Sequence, residues 1–164
     1  MSSPRDTGMT LVETVFTIAI AGILMAIGFT AVRSFLFANR EQGTAQQIRS
    51  ALRNAEEQTL SQGRTYCVYF TSSTWATYKS DCTVAANKTV GPQQVADTSI
   101  ALASISFPAP SPAILGQGTA CPVAGKCAYF YPRGTALAGS LQVTRTGKTY
   151  TLSVEGLTGR VSLA

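Results

Sequence analysis

The side chains able to do chemistry in this chain are few, and their spacing restricts what they can do. Its 164 residues include no histidine, so neither a Ser-His-Asp nor a Cys-His nucleophilic arrangement can be built. Glu56 and Glu57 are adjacent; neighbouring helical positions point about 100° apart, so these carboxylates do not converge on one substrate. The TGKT of residues 146–149 copies half a phosphate loop, yet Gln142 stands where that motif needs glycine. Asn87 opens an NKT sequon by pattern only. The four cysteines, Cys67, Cys82, Cys121 and Cys127, form no C-x-x-C pair. A zinc site of the usual Cys/His kind is therefore not expected, and the even count favours disulfides. Chain order suggests Cys67 with Cys82 and Cys121 with Cys127, one of three connectivities that four cysteines allow. No catalysis, cofactor or metal is expected. One acid stands apart, because Glu13 lies inside the apolar run MTLVETVFTIAIAG. A carboxylate at membrane depth costs on the order of 2 to 3 kcal/mol or more, so it needs a partner or a function.

The elements that position these residues follow from periodicity. From Thr14 to Val32 there are 19 residues without a charge, close to the ~20 that cross the hydrocarbon core as a helix. An ordinary secretory signal has a positive leader, a shorter apolar stretch and a small-x-small site after it. Here Arg5 is offset by Asp6, and LFA at residues 36–38 fits such a site poorly. Further on, Ile48, Leu52, Ala55 and Thr59 recur at i, i+4, i+7 and i+11 on one face, and Gly63 is a natural stop. One helix over residues 9–62 is predicted, membrane-bound at its start and amphipathic at its end, with its latter half packed on a sheet. After Gly63 the period becomes two, with turn residues at intervals. Residues 64–70 and 75–79 read as a hairpin around Ser72 and Ser73. Strands follow at 100–107, in CAYFYP, in LQVTR, in TYTLSV and at 159–163. Residues 81–97 have no clear period and read as a loop with at most one short strand. Only 13% of residues are charged while Gly, Ser and Thr abound, which suggests an exported, strand-rich protein. The net charge of +5 comes from singly scattered basic residues, the pattern of a solvated face.

The stretch GMTLVET, residues 8–14, resembles the type IV prepilin signature, in which a short hydrophilic leader ends in glycine and a glutamate stands fifth in the mature chain. The resemblance implies cleavage between Gly8 and Met9 by prepilin peptidase and N-methylation of Met9, with Thr10, Leu11 and Glu13 in register. Met9 stands where the family usually has Phe. Near residue 30, where many pilins carry a helix-kinking proline, this chain has Thr30, with Gly22 and Gly28 nearby. Cleavage ahead of the apolar run leaves the hydrophobic helix in the mature protein, first as membrane anchor and then as filament core. It also frees an α-amino group on Met9, largely positive near neutrality. Glu13 of one chain can then pair with the Met9 amine of its neighbour. Breaking such a pair in low dielectric costs about 3 to 5 kcal/mol, and in the family this pairing fixes the axial register of assembly.

FYPRGTALAGSLQVTR and then TYTLSVEGLTGRVSLA resemble the end of the GspH/FimT-type minor pseudopilin domain. There an apolar strand and a Pro/Arg/Gly turn precede two strands, and a Gly-Arg closes the chain. The implied fold is α+β and pilin-like: a long N-terminal helix, membrane-spanning in its first half, packed on an antiparallel β-sheet globular domain. The expected organisation is a leader (1–8), a transmembrane and assembly half-helix (9–33), an amphipathic half-helix (34–63) and a β-rich domain (64–164). The implied role is structural, as a minor pilin or pseudopilin of a type IV pilus or a type II secretion pseudopilus. Its implied partners are other pilin or pseudopilin subunits, prepilin peptidase, the inner-membrane assembly platform and the membrane itself, with the globular domain outside the cytoplasm. The alternative is a FimT-like DNA-binding minor pilin acting in DNA uptake. The tail of such proteins resembles Gly-Arg-x-Arg, whereas here Gly159, Arg160 and Val161 are followed by Ser162. The candidate DNA contacts are Arg133, Arg145, Lys148 and Arg160, which would bind phosphate with a steep salt dependence.

Overall fold

A run of apolar residues with no internal proline favours a continuous helix, and α1 spans Leu11–Gln62 in the computed structural model, which describes residues 10–110, 121–145 and 148–164. The chain divides into two units, Met1–Asn39 and Arg40–Ala164. In the first unit, Leu11–Phe29 is long and apolar enough to cross a membrane. At 1.5 Å per residue those 19 residues reach about 28 Å, close to the hydrocarbon thickness. Their side chains are exposed on every face of the helix. Thr14 and Thr17 return their hydroxyls to the carbonyls of Thr10 and Thr14 at 3.2 and 2.9 Å, so neither hydroxyl is left unpaired on the apolar helix.

In the second unit α1 turns one stripe inward. Ala45, Ile48, Leu52 and Ala55 are fully buried, and Thr44 and Thr59 on the same face hydrogen-bond back to Arg40 and Ala55 at 3.0 and 2.7 Å. The periodic positions in the sequence are thus the core positions of the helix. Gly63 ends it in a left-handed conformation, φ +61°, with its N–H donated to the Thr59 carbonyl at 3.0 Å. That is the αL stop for which glycine carries no Cβ penalty.

Two antiparallel sheets close over this stripe. The first has the order β3 (Lys88–Gln94), β2 (Thr74–Lys79), β1 (Tyr66–Phe70), β5 (Cys127–Tyr131), β6 (Thr135–Ala136). The second has the order β4 (Ala101–Ser106), β7 (Gly139–Arg145), β8 (Lys148–Val154), β9 (Val161–Leu163). Alternate residues of both sheets, among them Val68, Phe70, Phe130, Leu141, Val143 and Leu152, join the helix stripe in one core. Backbone hydrogen bonds from Leu102 to Ser72 (2.8 Å) and from Ala136 to Gly156 (2.8 Å) tie the sheets together. At β7 the approach is close enough that a Cβ on Gly139 would lie 2.6 Å from the Ser106 carbonyl and overlap the Phe107 ring, so only glycine fits.

All five residues of β5 are buried, which a sheet with one wet face cannot do. The outer face is covered by a second cluster in which Cys67, Cys82, Cys127, Tyr129 and Tyr131 are buried. Disulfides join Cys67 to Cys82 and Cys121 to Cys127. Each anchors a loop beside this aromatic layer. Burial pushes the Tyr129 phenol well above its usual range and raises that of Tyr131.

The segment read as mostly loop, 81–97, holds more structure than expected: a short 3-10 turn, Ala85–Asn87, and the seven-residue strand β3. All of β3 is exposed, so no face is selected for apolar residues and no alternation appears in the sequence. Gly91 and Pro92 read as breakers, but a proline is tolerated on an edge strand. The two-residue β6 has too few positions to leave a periodic signal. Residues 111–120 and 146–147, the latter pair within the TGKT stretch, lie outside the described residues.

Candidate functional site

At the start of α1 the backbone itself creates the demand that Glu13 answers. The first helical N–H groups have no intrahelical acceptor and carry a partial positive charge. Thr10 supplies one acceptor: its Oγ1 takes the N–H of Glu13 at 3.3 Å. Thr10-x-x-Glu13 is therefore half of a capping box, a signal legible as S/T-x-x-E that was not among the sequence expectations. A carboxylate in the first turn is also favoured by the helix dipole, by about 0.3 to 1 kcal/mol. Glu13 is exposed on the helix surface. Among the described residues its carboxylate has no ion-pair partner, so the local geometry places it without neutralising it. Gly8 and Met9 lie outside the described residues. At the other end of the apolar span the Arg33 guanidinium sits 5.7 Å from the centre of the Phe29 ring, one turn back.

The four basic candidates do not come together. Arg145 and Lys148 face each other across the β7–β8 ladder. Arg160 leads into β9 at the opposite end, where Val161 pairs with Val154 and Val154 with Gly139. Arg133 lies in the β5–β6 turn at that same end, since a Cβ on Gly159 would stand 3.4 Å from the Gly134 carbonyl. Six strand steps at about 3.3 Å each put roughly 20 Å between the pairs. Their surroundings are acidic as well. Arg160 shares a groove with Arg53, Glu56 and Glu57 of α1. Glu56 is held above the ordinary carboxylate range mainly by burial, with the Arg53 charge opposing and Glu57 adding to the shift. Arg145 lies close enough to Asp97 to favour its ionised form. Asp97 is lowered chiefly by hydrogen bonds from the Ser99 N–H and hydroxyl, both at 3.0 Å, and it also accepts from Arg40 at 3.3 Å. That ion pair ties α1 to the loop before β4 and, being in contact with water, is screened.

Among the described residues no group of histidine, cysteine or acidic side chains has the spacing to hold a metal. The cysteines are consumed in the two disulfides. What the described structure offers is a helix end with an unpaired acid, an exposed apolar span, and a small β-rich unit.

Comparison with known proteins agrees with those parts. Residues 3–29 match the prokaryotic N-terminal methylation motif. The fold is similar to the type IV minor pilin FimU of Pseudomonas aeruginosa, with a TM-score of 0.51 at 14% identity over 79% of this chain and 92% of that one. It is also similar to the minor pseudopilin EpsH from the type 2 secretion system of Vibrio cholerae, with a TM-score of 0.53 at 12% identity over 76% of this chain and 94% of that one. No curated protein matches by sequence. The chain thus carries the N-terminal methylation motif of prepilin-like proteins on a type IV pilin-like fold of the minor-pseudopilin kind.

Proposed function

We propose that the chain is a structural subunit of a type IV pilus or a type II secretion pseudopilus. In this reading prepilin peptidase cleaves between Gly8 and Met9, and Met9 is methylated on its new amino group. The span Leu11–Phe29 then holds the subunit in the inner membrane, with the globular unit outside the cytoplasm, until the assembly platform moves it into the filament. The observation that carries the reading is the coincidence, in one stretch, of the methylation motif over residues 3–29 with a lipid-length helix whose first turn presents Glu13, which has no ion-pair partner among the described residues. Glu13 of an incoming subunit pairs with the Met9 amine of its neighbour, and the pair forms only when the two helices are in axial register. Burial of the pair in the filament core makes a mismatch cost several kcal/mol.

Two requirements follow for a test in a host that builds the filament. Processing must not need the Glu13 charge, and incorporation must. Glu13→Val is expected to be cleaved and to remain in the membrane, while its recovery in sheared filaments or pseudopili falls at least about tenfold. Recovery of this variant at the wild-type level would overturn the proposal.

A further inference from the structure

The two ends of the globular unit differ in how their cations are balanced. At the end where Arg160 lies, Glu56 and Glu57 share its groove. At the other end Arg40, Arg145 and Lys148 stand around a single acid near the surface, Asp97. Arg40 pairs with Asp97 at 3.3 Å yet keeps 53% of its side-chain surface exposed. Arg145 acts on the same carboxylate and faces Lys148 across the β7–β8 ladder, and Lys148 is exposed. Glu41, the residue after Arg40, is buried. This end is also the one next to the apolar span along the chain. Arg40 stands eleven residues beyond Phe29 in α1, which at 1.5 Å per residue is at most about 16 Å. The headgroup layer takes up about 5 to 7 Å of that, and the remaining ~10 Å is close to one Debye length. Arg33, between them, is exposed and has no acidic partner among the described residues. Ahead of the span the sequence offers only Arg5, whereas Arg33, Arg40 and Arg49 follow it closely. In the orientation proposed above, the cationic flank is the exported one, opposite to the usual bias toward the cytoplasmic side. Insertion therefore does not account for these cations.

We propose that the end of the globular unit carrying Arg40, Arg145 and Lys148 docks on the phosphate groups of anionic phospholipids, in the leaflet through which α1 emerges. The inference rests on the membrane-spanning reading of Leu11–Phe29. Guanidinium and ammonium groups donate several hydrogen bonds and accept none, which suits phosphate oxygens. Held in the same bilayer by the span, the three cations meet headgroups at an effective concentration far above that of a polyanion free in solution. One end of the unit is thus enough for a lipid, although the distance to Arg133 and Arg160 leaves no continuous surface for a duplex. A second copy of the chain is the other candidate occupant. It is disfavoured because its adjacent acids, Glu56 and Glu57, share their groove with Arg53 and Arg160.

The test uses the full chain reconstituted in vesicles of phosphatidylcholine alone and of phosphatidylcholine mixed with phosphatidylglycerol. Flotation reads insertion, and amide hydrogen exchange follows residues 95–100 and 148–150. Exchange there is expected to be at least about threefold slower in the mixed vesicles and to return to the phosphatidylcholine rate in high salt. Lys148→Gln is expected to raise the phosphatidylglycerol fraction needed for half of this protection by about fivefold. Lys148→Arg, and Arg160→Gln at the opposite end, should leave that fraction unchanged. The inference is overturned if the inserted chain shows no dependence on phosphatidylglycerol, or if Arg160→Gln acts as strongly as Lys148→Gln. Protection that follows protein density in phosphatidylcholine alone, the result expected of a second copy, overturns it as well. A chain that floats with neither vesicle would instead remove the membrane-spanning reading, and this inference with it.

Discussion

Thr10 and Glu13 share the first turn of α1, and what they do there can be separated by substitution. The backbone N–H of Glu13, not its carboxylate, makes the cap to Thr10. Glu13→Gln therefore keeps the helix start and the side-chain shape while removing the charge. It is expected to assemble as poorly as Glu13→Val, whereas Glu13→Asp retains part of the incorporation; sheared-filament recovery distinguishes them. Two further acids report on the folded unit through pH. The Glu56 carboxyl is raised above its ordinary 4.5 chiefly by burial, so the native state holds that proton more tightly than the unfolded chain. Its contribution is present in acid and lost as pH rises through the native value. Asp97 is lowered from 3.8, so its contribution is present at neutrality and lost as pH falls through its native value. Denaturant titrations should show Glu56→Gln gaining stability relative to wild type as pH rises from acid to neutral, and Asp97→Asn losing the acid-side fall. Gly139 is a steric limit rather than an electrostatic one. Gly139→Ala must displace the Ser106 carbonyl or the Phe107 ring, an overpacking cost of about 1 to 3 kcal/mol that lowers the melting temperature.

Among the elements, α1 and the two sheets share one core, and Leu52 is at its centre, fully buried. Leu52→Ala is expected to cost about 2 to 5 kcal/mol in the globular unit, read by thermal unfolding. The Cys67–Cys82 disulfide closes a separation of 15 residues. Replacing both cysteines with alanine should cost about 3 kcal/mol by the chain-entropy estimate for such a loop. The elements legible in the sequence are those with one buried face. Ile48, Leu52, Ala55 and Thr59 announced the helix stripe, and the alternation in LQVTR and TYTLSV announced β7 and β8, because burial had selected every fourth or every second residue. The strand β3 left no such trace, since neither of its faces is buried. Nor could β5 be recognised as buried on both faces, because its outer face is covered by side chains from other segments, Cys67, Tyr69, Tyr78 and Cys82 among them. The half capping box at Thr10 and Glu13 is written in the sequence as S/T-x-x-E, but inside an apolar run it is masked by the stronger membrane-span signal. The basic residues looked equivalent along the chain, and only strand register reveals that Arg145 and Lys148 lie at one end of the second sheet and Arg160 at the other.

At the scale of the whole molecule, that separation argues against a single phosphate-binding surface. The full chain in detergent is expected to give no salt-sensitive retardation of duplex DNA at micromolar protein, and a steep decline of binding with salt would restore the DNA-uptake alternative. Assembly makes a different demand, for the account requires the chain to be cut ahead of its apolar helix so that Glu13 meets a free amino group on an adjoining subunit. Intact-mass and N-terminal peptide analysis of the protein purified from its native membrane tests this most directly. The expected result is a chain beginning at singly N-methylated Met9 that still contains Leu11–Phe29. A mature chain that begins at Met1, or one trimmed beyond Phe29, would contradict it.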